Sequence, residues 1–148
     1  MTQKTLPGFK SIGWADVQKM QAVATELIHE GVEVEAFGDF QNIPIVGIAG
    51  ATVKSERVNG ELVYTTVVQL LVKDCGTATR QLLHTLTTTN CAFRLTDVTG
   101  QKYLLGTDSK PHPTVTTSFE SANKPNGTRA FAAEIQYINT HSLLIISN

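Results

Sequence analysis

The stretch Glu56-Arg57-Val58-Asn59-Gly60-Glu61-Leu62-Val63-Tyr64-Thr65-Thr66-Val67-Val68-Gln69-Leu70-Leu71-Val72-Lys73 decides the fold class. Asn59-Gly60 is the pair best suited to a type I′ turn, because both central residues of that turn need positive φ and these two tolerate it. The sequence around it predicts one long hairpin, with Val46 to Val58 running in and Glu61 to Lys73 running out. In the outgoing arm Leu62, Tyr64, Thr66 and Val68 share one side, and Val63, Thr65 and Val67 the other. Gln69 to Val72 is almost wholly apolar and reads as buried on both faces. Each arm is about twice the usual strand length of roughly 5–6 residues. Arms that long either curl across two sheets or project beyond the body to pair with a neighbour. Gly47 and Gly50 interrupt the incoming arm and mark a bulge, a bend or a close backbone approach.

Upstream, Lys10 to Trp14 reads as a short strand. Asp16 to Glu30 places Val17, Met20, Ala24, Leu27 and Ile28 close to one helical face, with Asp16 as N-cap and Gly31 as the stop. Val32 to Phe37 alternates apolar and acidic residues, as a strand with one wet face does. Gly38 to Pro44 reads as a loop. Downstream, Gly76 to Thr89 predicts a helix with Thr79 as cap, a stripe of Leu82, Leu83 and Leu86, and Asn90 closing it. Ala92 to Thr96 and Lys102 to Leu105 flank a compact turn, Asp97-Val98-Thr99-Gly100, with Gly100 at a left-handed position. Pro111 and Pro113 bracket His112 in an extended loop. Val115 to Phe119, Arg129 to Asn139 and Ser142 to Ile146 complete about eight strands. The fold class is mainly β: an antiparallel sandwich or barrel with one or two flanking helices, in a single domain spanning 1–148.

The chain has 148 residues, 41% hydrophobic and 17% charged, with a net charge of −1. Charge is below the roughly 25% usual for soluble domains, which suits either a plain β domain or a protein that lives against partners. No overall basic character draws it to nucleic acid. Glu26, Glu30, Glu33, Glu35 and Asp39 lie together with no Lys or Arg among them. Such a run is either a solvated face or a surface that repels nucleic acid. Met1 to Lys10 has no apolar core of a secretory leader, and no run approaches the roughly 18 apolar residues of a membrane span. The expectation is a protein made in a cytoplasm and kept there, or assembled into a particle from there.

No motif asks for enzymatic chemistry or for a cofactor. His29, His84, His112 and His141 have no HxxxH or HxH spacing for a metal. Cys75 and Cys91 have no CxxC spacing and read as reduced, partly buried residues. Gly47 to Thr52 is faintly Gly-rich but lacks the Lys of a phosphate loop, and no helix follows it. Asp97 and Asp108 read as turn carboxylates. The basic residues do not cluster with aromatics, so a single-stranded nucleic-acid platform is not indicated.

One segment carries a resemblance. Ala92-Phe93-Arg94-Leu95-Thr96-Asp97-Val98-Thr99-Gly100-Gln101-Lys102-Tyr103-Leu104-Leu105-Gly106, with Pro111 soon after, resembles a hairpin of small virion proteins of tailed bacteriophages. The element order is similar to the β-sandwich plan of phage tail-tube subunits, in which a helix flanks the sandwich and a long hairpin reaches the next ring. The resemblance implies a non-enzymatic virion subunit. It would be assembled in the host cytoplasm into rings or a tube through which DNA passes without specific binding, in contact with other tail or neck proteins. Val46, Val53, Val58, Asn59, Gly60, Leu62, Tyr64 and Val68 would form the assembly hairpin. Glu33, Glu35 and Asp39 would face the channel. A tail-terminator, connector or other minor ring protein is the alternative within the virion. A cytoplasmic β-barrel holding a small ligand in its mouth is the alternative of another class.

Overall fold

The computed structural model describes residues 2–5, 8–28, 31–73, 76–107, 111–120, 130–139 and 143–146. In chain order the elements are β1 (Thr2–Thr5), β2 (Phe9–Asp16), a 3-10 turn (Val17–Lys19), β3 (Met20–Ile28), β4 (Gly31–Gly38) and β5 (Gln41–Ile43). Then follow β6 (Gly50–Val58), β7 (Glu61–Lys73), α1 (Thr77–Thr88), β8 (Cys91–Asp97), β9 (Lys102–Leu105), β10 (Thr114–Glu120), β11 (Ala130–Asn139) and β12 (Leu144–Ile146). The expected class holds: the molecule is mainly β, two sheets with one flanking helix. The strands are finer-grained than the eight expected, since short pieces such as β1, β5 and β12 take part.

A five-stranded sheet has the order β1-β6-β7-β11-β10, and a seven-stranded sheet the order β3-β4-β12-β9-β8-β2-β5. Neighbours run antiparallel except β12, which lies parallel to β4 with Ile145 opposite Glu33. The seven-stranded sheet must curl, and its connectivity says why. β2 and β3 are five places apart in the sheet, which is about 24 Å when flat at ~4.8 Å per strand. They are joined only by Val17–Lys19, and four Cα steps span at most about 14 Å. Only a sheet bent into a half-barrel brings the two strands that close.

The segment expected as a first helix is therefore a turn and a strand. Asp16 does cap, but its Oδ1 accepts from Gln18 N at 3.0 Å to start a single 3-10 turn. Met20 then pairs opposite Gly38, and the ladder with β4 continues to Ile28 opposite Gly31. A bulge between Ala24 and Glu26 offsets its alternation. Gly31, expected to stop a helix, opens β4 instead.

Two cores follow from the curl. Between the sheets, Phe9, Ile12, Phe93, Leu95 and Leu105 pack against Val68, Leu70, Val72, Ile135 and Tyr137. Inside the curl, Ala15, Met20, Val34, Ala92, Leu104, Leu144 and Ile146 form a second cluster, with Val32 and Ala36 packed against it. β8 feeds both, because Ala92 points one way and Phe93 the other. Each large apolar side chain so buried contributes roughly 1.5–3 kcal/mol. Phe9 and Ala49 exchange two backbone hydrogen bonds of 2.9 Å, which stitch the sheets at one corner.

α1 forms as expected and buries Leu83 and Leu86, with Leu82 partly buried. Its cap differs. Gly76 occupies the N-cap position, and Thr79 is buried within the helix, donating its hydroxyl to the Lys73 carbonyl at 2.9 Å. Thr89, not Asn90, holds the C-cap position, in an extended conformation at φ −110°, and the Asn90 carbonyl accepts from Val17 N at 3.1 Å. Gln41–Ile43, expected as loop, pairs with β2 as β5.

Candidate functional site

The long hairpin is present, and its turn has the expected geometry. Asn59 has φ 52° and Gly60 φ 85°. Its length is used differently from the expectation, however. β7 pairs with β11 from Tyr64 to Lys73, and β1 covers β6 as far as Ser55. Only the rungs Glu56–Val63, Arg57–Leu62 and Val58–Glu61 lie beyond those strands, a projection of about 10 Å at ~3.4 Å per residue. The expected contact residues divide accordingly. Asn59, Gly60, Val58 and Leu62 are exposed at the tip, while Tyr64 and Val53 are half-buried where the tip joins the body. Val68 is in the core, fully buried, and is not an assembly surface. Val46 lies before β6, donating its N–H to the Leu71 carbonyl at 2.8 Å.

Gln69 to Val72 is buried on one face only. Leu70 and Val72 point into the core, Leu71 is half-buried and Gln69 is exposed. Leu71 and Gln69 belong to the outer face of the five-stranded sheet, which carries no second layer among the described residues. Two open-sided clefts of about 480 and 500 Å³ cross this face on either side of Ile48. Ile48 seats against Gly8, where a Cβ would collide with it.

The four sheet edges differ in how they are protected. β5 has three residues and β1 has four. β3 carries a bulge. Short length and bulges both discourage a further strand from pairing, as does an edge lysine. β10 has none of these. It runs seven residues, Thr114 to Glu120, in unbroken register with β11, and Glu120 is its one charge. α1 lies beside it.

The acids form a second surface. On β4, Val34 is buried and Val32 and Ala36 are half-buried toward the inner cluster, so Glu33 and Glu35 point to the opposite, wet side as expected. Val23 lies directly across from Glu35, and Phe37 follows on the same face. Val23 and Phe37 are 42% and 48% exposed. Asp39 is exposed just beyond the strand. Sequence alone does not single out Val23, and it reads Phe37, with Trp14 and Phe9, as no more than one core requires; Phe37 is instead 48% exposed, and the signal that would find both is the period-2 alternation of β4 extended across to β3. Glu30 lies outside the described residues.

The Asp97 turn explains the local motif. Asp97 is buried, and its Oδ1 accepts from Thr99 Oγ1 at 2.6 Å, Thr99 N at 2.9 Å and Gln101 N at 3.0 Å. Tyr103 donates to Oδ2 at 3.4 Å and meets Phe9 edge-on at 5.9 Å. The Thr99 hydroxyl first, then the backbone donors and Tyr103, hold the carboxyl below its ordinary 3.8 against the opposing effect of burial. Gly106 ends the motif at φ 88°, and a Cβ there would meet Pro113 Cδ at 2.6 Å. The glycine and the following proline-bearing loop are thus one packing unit.

Cys91 has a buried free thiol that burial, with Asp16 nearby, pushes up to about 11, so it stays protonated and unreactive at neutral pH. His84 is exposed on α1 and His112 is half-buried. Among the described residues, no three His, Cys, Asp or Glu side chains converge as metal ligands do. Cys75, His29, His141 and Asp108 lie outside the described residues. No helix among those residues is long and apolar enough to cross a membrane. No family model, curated relative or solved structure matches the chain.

Proposed function

We propose that this chain is a non-enzymatic structural subunit that associates with copies of itself into rings or a tube, and that the particle is a bacteriophage tail. The observation that carries the reading is β10, a seven-residue edge strand in unbroken register that has neither a lysine nor a bulge, at the opposite side of its sheet from β1. An open edge is a liability in a monomer and an interface in an assembly. A heterologous contact made by such an edge gives a ring when the rotation closes. The tailed-phage resemblance of the Ala92 to Gly106 segment supports the choice of particle. DNA passage is consistent with the bare face of the five-stranded sheet, where Lys54 and Lys73 are set against Glu56, Glu61 and Glu134. That near-neutral balance gives phosphates no basic track to grip.

The ligand-barrel alternative loses support from the curl, whose interior is filled by Leu104, Leu144, Ile146 and their neighbours. The acids are not assigned to the bore in this proposal. Val23 and Phe37 beside them make a face suited to protein, not to a water-filled channel. Electron micrographs and sedimentation of the purified protein at rising concentration test the reading. Tubes or stacked rings are the expected outcome. Single rings that never stack fit the terminator or connector role. A monomer at every concentration would sink self-assembly.

A further inference from the structure

The self-association reading leaves open which surfaces meet between copies, and two hairpins answer it. On the core side of β6 and β7, cross-strand partners run Val53–Thr66, Ser55–Tyr64 and Arg57–Leu62. Thr66 is fully buried, Tyr64 half-buried and Leu62 42% exposed. The face that builds the core therefore continues past the body and presents Leu62 and Arg57 to solvent. Glu56 and Glu61 lie on the other face of the tip, so this one carries a cation and no acid. The outer face of the β3–β4 hairpin is its converse. It presents Val23 and Phe37 with Glu33 and Glu35, and no Lys or Arg occurs from Met20 to Val53.

We propose that the core-side face of the β6–β7 tip docks on the outer face of the β3–β4 hairpin of a second copy, with Arg57 between Glu33 and Glu35 and Leu62 against Val23 and Phe37. Charge selects this pairing over the symmetric ones. Two tips face to face would set Arg57 against Arg57, and two β3–β4 faces would set acid against acid, and like charges in an interface are strongly disfavoured. The contact is therefore heterologous and repeats from copy to copy, closing a ring or extending a filament. It weakens as salt rises.

The test uses three samples and rests on self-association. Arg57→Glu and Glu35→Arg each place like charges across the contact, and each alone should weaken assembly at least about ten-fold by sedimentation. In an equimolar mixture, alternating copies bring the Arg57→Glu tip to the Glu35→Arg face and the native tip to the native face, so assembly should recover well above either variant alone, short of the wild type because Glu33 still faces the introduced acid. Restoration also shows that both variants are folded; their unfolding transitions check this separately. If both variants assemble like the wild type, this contact is wrong and self-association stands. If both are inert and their mixture is inert too, the pairing of these charges is wrong. A wild type that stays monomeric overturns this contact together with the assembly reading.

Discussion

In the seven-stranded sheet, Ala92 and Leu104 enter one core while Phe93 and Leu95 enter another. In the five-stranded sheet, Val68, Leu70 and Ile135 enter a core, while Gln69 and Gln136 on the other face meet solvent. The first sheet curls until its own strands cover it, and its edges are short or bulged. The second stays open, with a face that carries no second layer among the described residues and one long, regular edge strand. Stability is thus concentrated in the curl and its seam with the other sheet. The open sheet supplies the edge on which the proposed association rests.

The largest effect is expected at Leu104. Leu104→Ala removes a fully buried side chain from the inner cluster and should cost about 2–5 kcal/mol in urea unfolding. Ile138→Ala, at a site 49% exposed on the open sheet, should stay within about 0.5 kcal/mol. Equal losses at the two sites would mean that the curl is no better packed than the bare face.

Asp97→Asn comes next, at about 1–3 kcal/mol, because it weakens acceptance from Thr99, Gln101 and Tyr103 together. Its pH dependence has a definite sign. The folded carboxyl titrates below 3.8, so its contribution is intact above the unfolded value and drains as pH falls through the folded one. The gap in stability between wild type and variant should therefore narrow in acid. A gap that holds constant from neutrality to pH 3 would rule out the charged form as the stabilising one.

What could be read before the fold was known follows from how local each signal is. Asn59-Gly60 and Asp97 to Gly100 act within four residues, and both turns form where the sequence places them. Val17, Met20, Ala24, Leu27 and Ile28 mimic a helical stripe because the bulge at Ala24–Glu26 breaks the period of two that would have marked a strand. What holds that segment extended is the inner cluster, which draws on Leu144 and Ile146. No window of sequence contains both. Val68 was drawn into the assembly set because alternation alone cannot show where a long arm leaves the body.

Cys91→Ala should cost only about 1 kcal/mol, and the native thiol should resist alkylation at neutral pH, since it ionises near 11. Fast labelling at Cys91 in folded Cys75→Ser protein would contradict its burial. The smallest change in stability belongs to Thr116→Lys on the exposed edge strand β10, within about 0.5 kcal/mol. The same variant should lower the assembled fraction by several-fold in sedimentation, because an edge lysine discourages strand addition. Assembly untouched by that lysine would move the interface away from β10.

The place of β12 has a kinetic consequence. Residues 144–146 sit in the middle of the curled sheet, between β4 and β9, though more than a hundred residues of chain separate them from β4. Closing so large a loop is entropically costly, and contacts of that range form slowly. Until β12 arrives, the β3–β4 hairpin has no strand to join it to β9, and the face that bears Glu33 and Glu35 has no fixed position. In the proposed contact, the acidic face is therefore among the last surfaces to gain a fixed position, which would delay association until the curl has closed.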